Sequence, residues 1–144
     1  MALSAEVVRT YIAADVKYQI RTMLRNTAKI WKGAGVCLEP ATGLTRPVAA
    51  SLTSPQFMGF AVETVDPSAV ATGTLDCTVL SQGVLVLPST GITGATAVTD
   101  QGKTVYMSDD NTFTTTALNN VQVGKLVTLF QGLWYLAFKA FALV

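Results

Sequence analysis

From Gly33 onward the chain is a succession of short apolar runs closed by turn-forming residues, and no helical period is sustained there. The runs are Gly35–Leu38, Arg46–Ala49, Phe57–Val65, Leu75–Leu80, Val84–Leu87, Thr104–Met107, Phe113–Thr115, Val121–Phe130 and Leu133–Leu143. Between them stand Glu39-Pro40 with Thr42-Gly43, Asp66-Pro67, Gln82-Gly83, Pro88, Gln101-Gly102 and Asp109-Asp110-Asn111. Proline fixes φ, glycine supplies positive φ and Asp or Asn caps its own backbone, so each cluster ends a strand. Many short strands at this spacing predict an all-β domain, a barrel or a sandwich.

The segment before Gly33 reads differently. Val8, Ile12, Val16, Ile20 and Leu24 recur every four residues, which puts them on one stripe of a helix. They are also all even-numbered, and Val16 to Thr22 alternates apolar and polar as a one-sided strand does. Tyr, Ile, Val and Thr at the alternating positions favour the strand. The chain is therefore expected to divide into an extended or partly helical amphipathic arm over 1–32 and a β body over 33–144. Through Arg46 there are seven basic residues against three acidic ones, and beyond it three basic against six acidic, so a basic arm precedes an acidic body.

Charge is scarce overall. Only 13% of the 144 residues are charged, against about 25% in an average soluble domain, while 50% are hydrophobic. So small a chain has too little polar material to coat its own surface, which predicts that other copies or a partner cover part of it. Self-association is expected, and the apolar residues Trp134, Tyr135, Leu136, Phe138 and Phe141 are the candidate face for it.

The sequence contains no histidine, which removes Ser-His-Asp and Cys-His machinery and histidine metal sites. Cys37 and Cys77 lie 40 residues apart outside any CxxC pattern and read as small buried hydrophobes. Asp66, Asp76, Asp100, Asp109 and Asp110 could supply a glycosidase-like carboxylate pair, but most flank Pro, Gly or Asn and read as turn caps. Asp109-Asp110-Asn111 lacks the alternating ligands and terminal Glu of a calcium loop. Gly91 and Gly94 lack the lysine and the strand-to-helix context of a phosphate cradle. A non-enzymatic chain without cofactor or metal is expected. Arg9, Arg21, Arg25 and Lys29 interleave with Tyr11, Tyr18 and Trp31 as a nucleic-acid platform would, but an acidic body would repel a phosphate backbone, so no direct nucleic-acid contact is expected. Leu126 to Val144 is nearly apolar, yet Gln131-Gly132 divides it and Lys139 interrupts it, which favours a buried β-hairpin over a membrane span.

One resemblance runs through the body. In order come Gly35-Val36-Cys37-Leu38, Pro47-Val48-Ala49, Met58-Gly59-Phe60-Ala61-Val62, Gln82-Gly83-Val84-Leu85-Val86-Leu87-Pro88, Gly102-Lys103-Thr104-Val105-Tyr106 and Val123-Gly124-Lys125-Leu126. This series resembles the capsid cement, or head decoration, proteins of tailed bacteriophages. The resemblance implies an all-β, small β-barrel or jelly-roll-like subunit that forms a homo-oligomer, a trimer before a dimer, and a virion protein on the outer capsid surface, made in the host cytoplasm, which binds the major capsid protein between capsomers and performs no catalysis. An arm carrying Val8, Arg9, Tyr11, Ile12, Val16, Lys17, Tyr18, Ile20, Arg21 and Arg25 would reach the coat, adding a strand or a helix to it. The alternatives are a tail-tube or fibre-associated β-protein and a carbohydrate-binding β-domain.

Overall fold

The structure, a computed structural model, describes residues 2–12, 19–24, 28–50 and 52–140. It is all-β, as the punctuation predicts. In chain order the strands are β1 (Thr10–Ile12), β2 (Gln19–Met23), β3 (Gly35–Glu39), β4 (Leu44–Pro47), β5 (Gln56–Ala61), β6 (Asp76–Leu80), β7 (Gln82–Pro88), β8 (Ile92–Thr93), β9 (Thr104–Met107), β10 (Phe113–Thr114), β11 (Val121–Phe130) and β12 (Leu133–Lys139). They form a seven-stranded sheet in the order β1-β7-β12-β11-β9-β10-β8 and a five-stranded sheet in the order β2-β6-β5-β3-β4. All pairings are antiparallel except β10 with β8.

Neither sheet closes into a barrel among the described residues. The smaller one curls until its two edges meet at a single parallel bridge, Leu24 with Thr45, beside a 2.5 Å hydrogen bond between the Thr22 and Thr45 hydroxyls. Strand alternation then sorts its side chains into two cores. Cys37, Phe57, Phe60 and Leu80 face the larger sheet and meet Leu85, Trp134, Leu136 and Phe138. On the opposite face Val36, Ala61, Cys77 and Val79 form a second core, covered by Leu24, Ile30 and Ala34 with Leu3 and Val65 at its margin. Both cysteines are free thiols with no exposure.

The apolar C-terminal stretch forms the expected hairpin. Gln131 and Gly132 both have positive φ, 51° and 75°, the backbone that a two-residue turn between twisted strands requires. Among the described residues no helix is long and apolar enough to cross a membrane. Phe57–Val65, read as one run, ends as a strand at Ala61. Val65 leaves the sheet to exchange hydrogen bonds of 2.8 and 2.9 Å with Ile30, closing the second core.

Gly59 stands where the β3–β5 register shifts, with φ 136° and Leu80's carbonyl oxygen in the space a Cβ would fill. Gly59→Ala is expected to destabilise the chain by about 2 kcal/mol or more, since strain and backbone overlap act together. Gly43→Ala, at positive φ but in open space, is expected to cost about 1 kcal/mol. Urea unfolding of the two variants measures the difference.

Candidate interaction surface

The two sheets have four faces, and three are covered within the chain. The outer face of the seven-stranded sheet is the fourth, and no described element lies across it. Its composition follows from register. Ile12 pairs with Val84, Val84 with Ala137, and Ala137 with Lys125, which pairs with Thr104. The next row is Thr10, Val86, Tyr135 and Thr128, and the last is Pro88, Leu133 and Phe130. Phe130 is 57% exposed, Val127 at the β11 bulge 56%, Ile12 46% and Leu133 37%. The charged residues in these rows and at the adjoining end of β12 are Lys125 and Lys139. An exposed sheet face usually carries mostly polar residues outward, whereas here Val84, Val86, Val127, Phe130 and Leu133 stand among Thr10, Thr104, Thr128 and Lys125.

The self-association residues expected on β12 are therefore split by the pleat. Trp134, Leu136 and Phe138 are at most 2% exposed, inside the chain's own core, and the Trp134 indole donates to the Ala95 carbonyl at 3.1 Å. They cannot touch a second copy. Tyr135 faces outward, and Phe141 lies outside the described residues. Val84, Val86, Val127, Phe130 and Leu133 complete that face. The period-two spacing of Val84 and Val86 carried the signal, but sequence alone does not say which parity points out.

The leader is also redistributed. Its described residues are built into both sheets rather than standing off as an arm, with β1 pairing β7 and β2 pairing β6 as edge strands. The strand reading holds for Thr10–Ile12 and Gln19–Met23, whereas the even-numbered stripe does not stay on one side. Ile20 faces the second core, while Val8 and Ile12 point to solvent and odd-numbered Tyr11 turns inward. Val16, Lys17, Tyr18 and Arg25 lie outside the described residues.

Arg9 is not a free cation for steering. Its Nε donates to the Gly33 carbonyl and its Nη2 to Asn111 Oδ1, both at 2.9 Å, while the guanidinium lies 5.5 and 5.3 Å from the Phe60 and Phe113 ring centres. Burial lowers its pKa, and burial pushes the neighbouring Tyr11 hydroxyl up to about 12 and raises the Asp110 carboxyl. The Tyr11 ring packs in tilted contact with Phe138 at 5.9 Å and Phe60 at 6.3 Å between centroids. Further along, Leu3 donates to Asp110 Oδ1 at 2.8 Å and Val7 to the Lys32 carbonyl at 3.0 Å. Arg21 reaches Asp76 at 2.7 Å on the exposed surface.

The carboxylates read as turn caps act as such. Asp109 Oδ1 accepts from the Asn111 and Thr112 amides, and Asp66 Oδ1 from the Ser68 amide. Asp100 accepts from the Thr96 and Ala97 amides and pairs with Lys103.

A groove of about 850 Å³ lies where the start of β5 meets one end of the seven-stranded sheet. It is bounded by the starts of β5, β7 and β11 and the end of β12, and no carboxylate is among its described lining residues. No family model, curated protein or solved structure matches the chain.

Arg9→Ala is expected to cost about 2 kcal/mol or more, because the Gly33 carbonyl and Asn111 lose a charged donor in a half-buried setting. Arg21→Ala, at a solvent-exposed pair, should leave the unfolding midpoint unchanged. Asp100 is held at about 2, below its usual 3.8, by hydrogen bonds from the Lys103 side chain and the Ala97 and Thr96 amides. A depressed carboxyl stabilises the fold above its unfolded value and loses that contribution as pH falls through the folded one. Asp100→Asn should therefore lower the melting temperature at pH 7 and lower it less at pH 2, where the carboxyl is partly protonated in the folded chain as well.

Proposed function

We propose that this chain is a non-enzymatic structural subunit, a cement protein that docks on the outer surface of a tailed-phage head and holds neighbouring capsomers together. The observation that carries the reading is the uncovered apolar face of the seven-stranded sheet in a chain that covers its other three sheet faces. Burying each large apolar side chain of that face is worth about 1.5–3 kcal/mol. The face is available to a second copy, and the resemblance of the ordered body motifs to head decoration proteins supports the phage setting. Those motifs fall on β3, β4, β5, β7, β9 and β11 and their margins, so they bear chiefly on the body.

In this reading the oligomer presents several coat-binding contacts at once. Each is weak alone, and the later ones become intramolecular once the first has formed. The solvent-facing Val8 and Ile12, with Arg21 and the leader residues Val16, Lys17, Tyr18 and Arg25, are the proposed contacts with the major capsid protein. Because the subunit would bind only the assembled shell, binding would stabilise the shell by linkage. A flat face packing on its own copy makes a two-fold pair, whereas a ring of three needs that face to meet a different surface of its neighbour. The oligomer's mass decides between them.

Co-sedimentation with empty phage-like shells tests the reading. The wild-type chain is expected to saturate shells, and Phe130→Glu with Val127→Glu to reduce occupancy at least about tenfold, as expected when multivalency is lost, with an unchanged circular dichroism spectrum. Failure of the wild type to bind, or full occupancy by the variant, would contradict it. Purified chain that forms filaments by itself would instead favour the tail-tube or fibre alternative. Truncation of 1–25 is not a clean test, since it removes β1, the whole of β2 and the Arg9 contacts.

A further inference from the structure

We infer that residues 2–8 form a strap gated by the Asp110 carboxyl, closed more firmly when that group is protonated and loosened when it is ionised. The device is independent of the cement reading. Only Leu3 and Val7 of this segment turn inward, and the other five residues are exposed. Leu3 packs at the margin of the second core and donates its amide to Asp110 Oδ1 at 2.8 Å, while Val7 donates to the Lys32 carbonyl at 3.0 Å. A further tie, from the Thr64 hydroxyl to the Glu6 carboxylate, lies on the exposed surface. The catch, by contrast, is braced on every side. Gly35 donates to the Asp110 backbone carbonyl at 2.9 Å and Ser108 to the Thr112 carbonyl at 3.1 Å, Asp109 caps the loop through the Asn111 and Thr112 amides, and its backbone bridges to Ala49. Opening therefore lifts the strap from a carboxyl that stays in place.

Burial makes this catch sensitive to its own charge. Asp110 is 4% exposed, and no ion pair includes it among the described residues. The charged groups that face it are Asp109 from the same loop and Arg9 from the N-terminal side, with the Tyr11 hydroxyl beyond Arg9; β3 and Ala49 bring no ionisable group. Arg9 spends its donors on the Gly33 carbonyl and Asn111 Oδ1 instead. An ionised carboxylate held out of water without an ion pair, beside a like charge, is destabilised, whereas the protonated group escapes that cost and still offers Oδ1 to the Leu3 amide. Burial accordingly raises the Asp110 carboxyl above its usual 3.8, opposed by the Leu3 amide, reinforced by Asp109, and opposed more weakly by its own amide and Arg9. Lifting the strap takes Leu3 off Oδ1 and admits water. By linkage, a group whose pKa is raised in the closed form favours closing below its usual value and loses that contribution as pH rises through the closed-form value.

Hydrogen exchange of the full chain, read by NMR at the Leu3 and Val7 amides and expressed against the intrinsic rate at each pH, tests the strap. Asp110→Asn keeps the acceptor and removes the charge. At pH 7 it is expected to protect both amides at least about threefold better than the wild type, a shift of one pKa unit corresponding to about tenfold. At pH 4 the two chains should converge. Because the comparison is made at each pH, the contribution of Glu6, common to both chains, cancels. A variant protected no better than the wild type at pH 7, or by the same ratio at both pH values, would overturn the inference. The second readout needs no folded Asp110 variant: the Asp110 side-chain carboxyl, followed by carbon-13 NMR in the wild type, should titrate above 3.8, and its midpoint should fall toward that value in Leu3→Pro, which lacks the amide donor and frees the strap. A wild-type midpoint at or below 3.8 contradicts the gate, and so does a midpoint that rises in Leu3→Pro, since the burial would then belong to the body and not to the strap.

Discussion

Two stacked β-sheets present four faces, and a chain of this length has cover for three of them. That constraint organises the molecule. The inner faces bury each other through Phe57, Phe60, Trp134, Leu136 and Phe138, and the back of the smaller sheet is closed by Leu24, Ile30 and Ala34 with Leu3 and Val65. What remains is the outer face of the larger sheet, where Val127, Phe130, Leu133 and Tyr135 are left at the surface. Hydrophobic burial scales with apolar area removed from water, so a second surface laid on that face gains what folding has left unused.

The N-terminal segment supplies the cover that makes this division possible. Tyr11 inserts between the sheets at the aromatic cluster, and Arg9 spans from the Gly33 carbonyl to Asn111 over the rings of Phe60 and Phe113. A guanidinium is suited to this place because its planar fork satisfies two acceptors while its face lies on an aromatic ring. Leu3 and Val7 extend the attachment through Asp110 and Lys32. The result is a leader committed to the fold along most of its described length, leaving only a few side chains such as Val8 for an outside partner.

Most of the strand inventory was legible in the sequence, since turn chemistry marks strand ends locally. Thr104–Met107 and Val121–Phe130 coincide with the observed strands, and Gln131-Gly132 forms the turn it suggests. Three things were not legible. Strand order depends on long-range pairing, as when β12 inserts between β7 and β11. The outward parity of β12 depends on which sheet it faces, so Trp134 and Tyr135 look alike in the sequence yet end on opposite sides. The role of Arg9 depends on Gly33, Phe60, Asn111 and Phe113, which only the fold brings together. No spacing rule connects a residue at position 9 to one at position 111. For the same reason the scarcity of charge foretold an uncovered surface but not its location.

Assembly of this chain through the outer face of the larger sheet requires that surface to be an interface. Sedimentation equilibrium of the full chain over a wide dilution series tests this most directly. A discrete oligomer that dissociates on dilution, and that Phe130→Glu converts to monomer at every concentration, is the predicted result. A wild-type chain that stays monomeric at the highest concentration, or an oligomer indifferent to charge on that face, would contradict it.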